Sequence, residues 1–200
     1  IYTLSLHDAL PIWSAHLGYA QNKMINAALL AAELSVSLPN EQRPEKTSGY
    51  EGFFHLTRLE ATVEEATLHY IIRDHDRALF EQKKDLLRTL ANRMETKYPG
   101  CVTVEVRDQY YNMREIIEPG MEVIEYACEA MRAAGVTPRI RPVRGGTDGA
   151  RLSFMGLPCP NLFAGGLNFH GRYEYLPVRS LEKSKETIIQ LCHIITDQTK

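Results

Sequence analysis

The sequence lacks the features that mark several classes of protein. Its 23 lysines and arginines against 25 aspartates and glutamates leave a formal net charge of −2, which excludes the basic field that binds nucleic acid or an anionic membrane surface. No apolar run approaches the roughly 20 residues that cross a bilayer. What remains is 44% hydrophobic residues over 200 positions, enough for a globular protein with a buried core. We therefore expect neither a nucleic-acid nor a membrane partner.

Cysteine is also scarce. The four cysteines are widely spaced, form no CxxC pair and stand in apolar surroundings: Cys101, Cys128, Cys159 and Cys192. This spacing argues against a disulfide framework and against a cysteine zinc site. We predict buried free thiols and a cytoplasmic location.

The first residues have no counterpart in the patterns that follow. Residues 1–12 begin without methionine and lack the basic region and the cleavage site of a signal peptide. They look like translated sequencing-adapter read-through, so we interpret residues 1–13 as a non-native scar and leave them out of fold reasoning. His7 and Asp8, which would otherwise suggest a metal site, are set aside with them.

The next hundred residues predict an α+β domain. The pattern favours, in order, a helix over 18–38 that Pro39 ends, strands over 53–60 and 66–74, a helix that Asp76 caps, and a strand over 102–107. The charges of the second helix, among them Lys83 and Lys84, are interpreted as its solvated face. This order predicts an antiparallel sheet with two helices on one side, ferredoxin-like if a strand that was lost or replaced by the scar preceded Ser14.

From Asn112 onward, helices and strands alternate. The pattern predicts a helix that contains Pro119 early and that Gly135 closes, a strand over 139–143, a short helix ended by Gly156, an extended piece over 161–163, and a last helix from Ser180. Alternation of this kind is typical of an α/β layer. We place the domain boundary between residues 14–111 and 112–200.

Residues 144–170 contain most of the candidate chemistry. Two glycine-rich loops, at Gly145-Gly146 and Gly165-Gly166, flank a short helix and bring a cation, an anion and an imidazole into one stretch. Thr147 or Asp148 can cap the short helix. Asp148 could equally orient His170 or pair with Arg144, but capping is the commonest use of such a residue and we prefer it.

This stretch, together with Ile71-Ile72-Arg73-Asp74 and Tyr110-Tyr111-Asn112-Met113-Arg114-Glu115, resembles the tripeptide aminopeptidases of the co-catalytic two-zinc exopeptidase family. The resemblance runs from about Ser14 to the C-terminus but matches only the back half of those enzymes. It implies a lid and dimerisation domain over 14–111, which would support a homodimer, and the C-terminal part of an α/β zinc-exopeptidase catalytic domain over 112–200.

The resemblance also assigns roles to individual residues. It implies that His170 is a zinc ligand, that Arg73 holds the C-terminal carboxylate of a small peptide substrate, and that Arg144 is a second anion-binding residue. His16, in a Ser-x-His turn where Leu17 replaces the usual proline, would help to polarise the scissile carbonyl. Considered without the family, these residues are also compatible with a structural histidine, solvated or ion-paired arginines, and a surface histidine at a helix start.

The activity implied is zinc-dependent release of the N-terminal residue from tripeptides, with two zinc ions per intact subunit. The family's His-x-Asp pair, bridging aspartate and Glu-Glu pair have no counterpart in a matching context here, and one histidine cannot hold a metal alone. We therefore expect no catalytic residue in this chain and no activity from it in isolation. The alternative is a non-catalytic lid and dimerisation module in which His170 is vestigial.

Overall fold

The computed structural model describes residues 2–6 and 17–198. The chain divides into two compact units, Ile1–Tyr111 and Asn112–Lys200. We call them the first and the second unit, and describe each by itself.

The first unit is built on a four-stranded antiparallel sheet. Its strands are β1 (Tyr2–Leu6), β2 (Phe53–Ala61), β3 (Ala66–Arg73) and β4 (Val102–Val106), in the order β2-β3-β1-β4. Helix α1 (Ala27–Ser37) follows β1, and α2 (Arg77–Lys97) joins β3 to β4. The succession β-α-β-β-α-β with this strand order is the ferredoxin-like arrangement that the sequence predicted.

Strand β1 lies in the segment that the sequence analysis left out of the fold. It pairs along its full length with β3 on one side and with β4 on the other. Without it, β3 and β4 would each present an unpaired edge in the middle of the sheet. Tyr2–Leu6 also alternates apolar and polar residues, which suits a strand, so leaving this segment out removed the strand on which the ferredoxin-like prediction depended.

Two capped helices pack over the sheet. Asp76 accepts a hydrogen bond from the Leu79 backbone N–H at 2.9 Å and starts α2, as predicted. Helix α1 begins at Ala27 and not near residue 18, because the Asn26 side chain accepts from the Leu29 N–H and caps the helix there. The core residues of the two helices and of β3 are Ala27, Leu30, Ala31, Leu34, Ala66, Leu68, Tyr70, Ile72, Leu87, Ala91 and Met94.

Strand β3 shows the predicted alternation. Ala66, Leu68, Tyr70 and Ile72 are buried, whereas the residues between them are half-buried on the opposite face. Arg73, the last residue of the strand, belongs to this second face. The alternation therefore places its guanidinium away from the core.

The second unit is helical in its described part. It contains α3 (Arg114–Ile117), α4 (Glu122–Ala133), α5 (Asp148–Phe154) and α6 (Val178–Gln198). Gly135, with a φ of +70°, follows α4 as the sequence predicted, because a residue without a side chain adopts this backbone geometry most easily. The last helix begins two residues before the predicted Ser180.

The two strands predicted for the second unit, over 139–143 and 161–163, are not formed. In the described residues of this unit the only β-pairing is an isolated bridge between Leu167 and Tyr175. Ile140 and Val143 are 74% and 50% exposed. A strand needs a partner strand to take up its backbone hydrogen bonds, and neither segment pairs with one in the part of the unit that the structure describes. The described residues 112–198 therefore do not by themselves form the expected α/β layer.

Candidate functional site

Arg73 marks the candidate site of the first unit. It is half-buried at the end of β3, and its Cζ lies 4.9 Å from the centre of the Tyr110 ring. Burial raises the pKa of the Tyr110 phenol, and the neighbouring Arg73 charge offsets only part of that effect. A cation over an aromatic face is attracted by the ring's electron density. The ring therefore contacts one face of the guanidinium and does not use its N–H donors, which lie in the guanidinium plane.

A buried ion pair between Asp74 and Lys83 anchors the backbone next to Arg73. The side chain of Asp74 is 2% exposed, that of Lys83 is 12% exposed, and the Lys83 Nζ lies 2.9 Å from a carboxylate oxygen of Asp74. The other oxygen of Asp74 accepts a hydrogen bond from the Asp76 N–H at 3.0 Å. A Cβ on Gly52 would lie 2.0 Å from the same carboxylate, so only glycine fits beside it.

A second cluster fastens the segment that carries Tyr110. Lys84 is only 4% exposed, and its Nζ lies 2.6 Å from Glu81 and 3.3 Å from Asp108. The Tyr111 hydroxyl donates to Asp108 at 2.8 Å, and Arg77 lies over the Tyr111 ring. The interpretation of Lys83 and Lys84 as part of a solvated helix face was therefore wrong, because Asp74 and Asp108 compensate their burial.

In the second unit, the glycine-rich motif before α5 builds a compact turn. Thr147 caps α5 by accepting from the Ala150 N–H at 3.2 Å, and Asn161 donates to the Thr147 hydroxyl at 3.2 Å. The exposed Asp148 is the first residue of the helix and is not its cap, which corrects the preferred role. A Cβ on Gly149 would lie 2.4 Å from the Cys159 carbonyl oxygen. Much of this motif is thus explained by local packing.

The two charged candidates of this unit differ in exposure. Arg144 is half-buried just ahead of the turn, whereas His170 is exposed. His170 has a φ of +62° and its backbone N–H donates to the Glu174 carboxylate at 2.8 Å. Non-glycine residues with positive φ are uncommon and are concentrated at functional sites and turns. This geometry suits a histidine presented from a tight loop.

A zinc site needs three or four protein ligands. Among residues 2–6 and 17–198, no group of three or more histidine, cysteine, aspartate or glutamate side chains could hold a metal ion. His170 therefore offers at most one ligand, and the residues described here do not fit a complete zinc centre. His16 lies outside the described residues.

The cysteines are unpaired, as predicted, but they are not all buried. Cys101 is buried, Cys128 and Cys159 are half-buried, and Cys192 is exposed on α6.

In the described residues, no helix is long and apolar enough to span a membrane.

Two features of the Arg73 environment were not predicted from the sequence. One is the buried Asp74–Lys83 pair, and the other is the Tyr110 ring beneath the guanidinium. Tyr110 belongs to the Tyr110–Glu115 motif on which the family resemblance rests, and that motif could have marked it as a candidate. No local pattern pointed to Lys83.

Comparison with known proteins adds the family context. Residues 10–101 match the family model described as "Peptidase dimerisation domain". The chain is 65% identical over 181 residues to Peptidase T of Parabacteroides distasonis, covering 90% of this chain and 45% of the relative. It is 50% identical over 182 residues to Peptidase T of Caldanaerobacter subterraneus, covering 90% of this chain and 44% of the relative. The chain thus spans about half the length of these relatives.

Two solved structures resemble the fold. An aminopeptidase PepT from Bacillus cereus has a TM-score of 0.69 at 23% identity, covering 95% of this chain and 50% of its own. A tripeptidase from Staphylococcus aureus has a TM-score of 0.74 at 18% identity, covering 97% of this chain and 50% of its own. At these identities the likeness concerns the fold alone.

Proposed function

We propose that this chain belongs to the peptidase T family and is part of a zinc-dependent aminopeptidase that releases the N-terminal residue from tripeptides. The observation that carries the proposal is the 65% identity to a Peptidase T across 90% of the chain. The free thiols support a cytoplasmic location for the enzyme.

Arg73 is the proposed ligand of the substrate's C-terminal carboxylate. A planar guanidinium can hold a carboxylate through two parallel hydrogen bonds. Its half-buried position at a fastened strand end supports the role, because a rigid donor loses less entropy on binding than a mobile one. Arg144 is the proposed second anion-binding residue, and His16 the proposed residue that polarises the scissile carbonyl.

His170 is the proposed zinc ligand of this chain. Its loop presents the side chain from an exposed turn with positive φ, where a ring is accessible to a metal held mainly by other groups. Bound zinc supplies Lewis-acid chemistry and an activated water. The remaining ligands and the general base would come from the part of a longer enzyme that this chain does not span, so the 200-residue chain alone is inactive.

Two measurements test this function. Purified chain is incubated with tripeptides that carry a free N-terminus, with and without zinc, and no turnover is expected. The chain is then substituted for the matching segment of the Parabacteroides distasonis Peptidase T. The resulting full-length chimera is expected to cleave tripeptides and to lose zinc-dependent turnover with His170→Asn. Zinc-dependent turnover by the 200-residue chain, lost in His170→Asn, would show that the chain is not a partial enzyme.

The second candidate function is a non-catalytic lid and dimerisation module with a vestigial His170. It is favoured by the match to a dimerisation domain over 10–101. A homodimer through the first unit is compatible with both candidates, and the outer edge of β4 is unpaired in the described chain. Sedimentation equilibrium of the 200-residue chain measures whether it forms a dimer. An inactive but well-folded chimera would favour the non-catalytic module.

A further inference from the structure

The Arg73 guanidinium rests on an aromatic ring and is otherwise available to a ligand. Its Cζ lies 4.9 Å from the Tyr110 ring centre. Among the residues that the structure describes, no carboxylate forms an ion pair with Arg73. The N–H donors of a guanidinium lie in its plane, so a ring beneath one face restricts the group without consuming a donor.

Residues next to Arg73 and next to Tyr110 form ion pairs and hydrogen bonds that hold the backbone at both positions. Arg73 follows a strand whose end is fastened by the buried Asp74–Lys83 pair. Tyr110 stands between Asp108, which binds the buried Lys84, and Tyr111, whose hydroxyl donates to Asp108. Two separate clusters thus hold the backbones that carry the ring and the guanidinium.

We propose that Tyr110 is a positioning residue that orients the Arg73 guanidinium for the C-terminal carboxylate of the peptide substrate. The inference rests on the proposed function of Arg73. A long arginine side chain loses much rotamer freedom when it binds a ligand, and a supporting ring removes part of that loss in advance. The carboxylate is remote from the bond that is cleaved, so the contribution falls on substrate binding more than on the chemical step.

The ring, and not the hydroxyl, carries this role. The Tyr110 hydroxyl oxygen is buried and has no hydrogen-bond partner among the described residues. Phenylalanine presents the same aromatic face to the guanidinium, whereas leucine has no aromatic ring. The pair Tyr110→Phe and Tyr110→Leu therefore separates support by the ring from simple filling of space.

The contact itself is tested in the 200-residue chain. Protons of an arginine side chain above an aromatic ring resonate upfield, so the Arg73 signals are followed by NMR with isotope-labelled arginine and assigned by their loss in Arg73→Lys. The upfield shift is expected in the wild type and in Tyr110→Phe, and is expected to vanish in Tyr110→Leu. The matched control is Tyr98→Leu, which removes a tyrosine ring from a different cation, Lys97, and is expected to leave the Arg73 signals in place.

The role is tested in the full-length chimera with a tripeptide and its C-terminal amide. Tyr110→Leu is expected to raise KM for the tripeptide by roughly two- to tenfold, with kcat within about twofold, the range that one cation–aromatic contact accounts for. KM for the amide, which lacks the carboxylate, is expected not to change. Tyr110→Phe is expected to behave as wild type. If Tyr110→Leu misfolds by circular dichroism, Tyr110→Met provides the apolar variant without a ring.

Arg73→Ala separates the two proposals. If it raises KM for the tripeptide while Tyr110→Leu and Tyr110→Met do not, Tyr110 has no positioning role and the proposed role of Arg73 stands. If Arg73→Ala leaves KM for the tripeptide unchanged, the proposed role of Arg73 is wrong, and the positioning role falls with it. An Arg73 signal that is indifferent to Tyr110→Leu would overturn the contact as well as the role.

Discussion

Replacing Lys84 with methionine is expected to destabilise the first unit by about 1–2 kcal/mol. Burial alone would lower the pKa of this ammonium group, but the hydrogen bonds and charges of Glu81 and Asp108 outweigh burial and raise it. A pKa raised by folding means that the folded state favours the charged form. Removing the charge therefore removes a net stabilising interaction.

The magnitude follows from the exposure of the three groups. Lys84 is 4% exposed, whereas the side chains of Glu81 and Asp108 are 43% and 32% exposed. Methionine keeps most of the apolar stem, and the two carboxylates regain water when the ammonium is gone. The cost is therefore below the roughly 3–5 kcal/mol seen when a buried charge loses its only partner. Asp108→Asn is expected to cost less, since Lys84 keeps Glu81.

The assay is urea denaturation of the whole chain at pH 7, with hydrogen exchange of peptides over 102–111 to assign the effect to the first unit. A loss of 1–2 kcal/mol corresponds to a midpoint shift of about 0.5–1 M. Combining Lys84→Met with Asp108→Asn is expected to be non-additive by about 1 kcal/mol. The matched control is Arg88→Met, whose exposed pair with Asp85 is expected to contribute less than about 0.5 kcal/mol.

The stability that Lys84 contributes is also expected to depend on pH. Because the folded pKa of Lys84 is raised, its contribution is present below the ordinary lysine pKa of about 10.4 and is lost as the pH rises through the raised value. An unchanged or higher urea midpoint for Lys84→Met at pH 7 would refute the reasoning, since it would mean that the desolvation of the ammonium outweighs its two partners.

Three further outcomes are expected. Leu87→Ala, at a site that is 0% exposed, is expected to cost about 3–4 kcal/mol in urea denaturation, whereas Leu79→Ala, at 47% exposure, is expected to cost less than about 1 kcal/mol. Tyr70→Phe loses the hydrogen bond to Ser35 and is expected to cost about 1 kcal/mol at pH 7. Burial raises the Tyr70 pKa, so wild-type stability is expected to fall more steeply than that of the variant once the pH exceeds about 10; parallel curves would contradict this. Limited proteolysis followed by mass spectrometry is expected to leave the first unit and to digest the second, where Ile140 and Phe169 are 74% and 59% exposed; a protected second unit would refute the expectation.

Local patterns in the sequence were enough for much of the first unit. The period-2 alternation of β3 identified its buried row, because side chains on a strand point to opposite faces whatever lies around them. Asp76 identified the start of α2, because a cap involves only the first turn of its own helix. The family resemblance identified Arg73, Arg144, His16 and His170 as candidates, without a geometry for any of them.

Tertiary structure decided what depends on partners distant in the sequence. Segments 139–143 and 161–163 have the composition of strands but pair with no strand in the described second unit, and backbone pairing is what makes a strand. Lys84 belongs by pattern to a solvated helix face, yet it is buried because Asp108, 24 residues away, supplies its counter-charge. Tyr110 lies under Arg73 only because the segment after β4 folds back onto α2. The physical reason is the same in each case: periodicity and capping are properties of a few adjacent residues, whereas pairing and charge compensation depend on which distant segments the fold brings together.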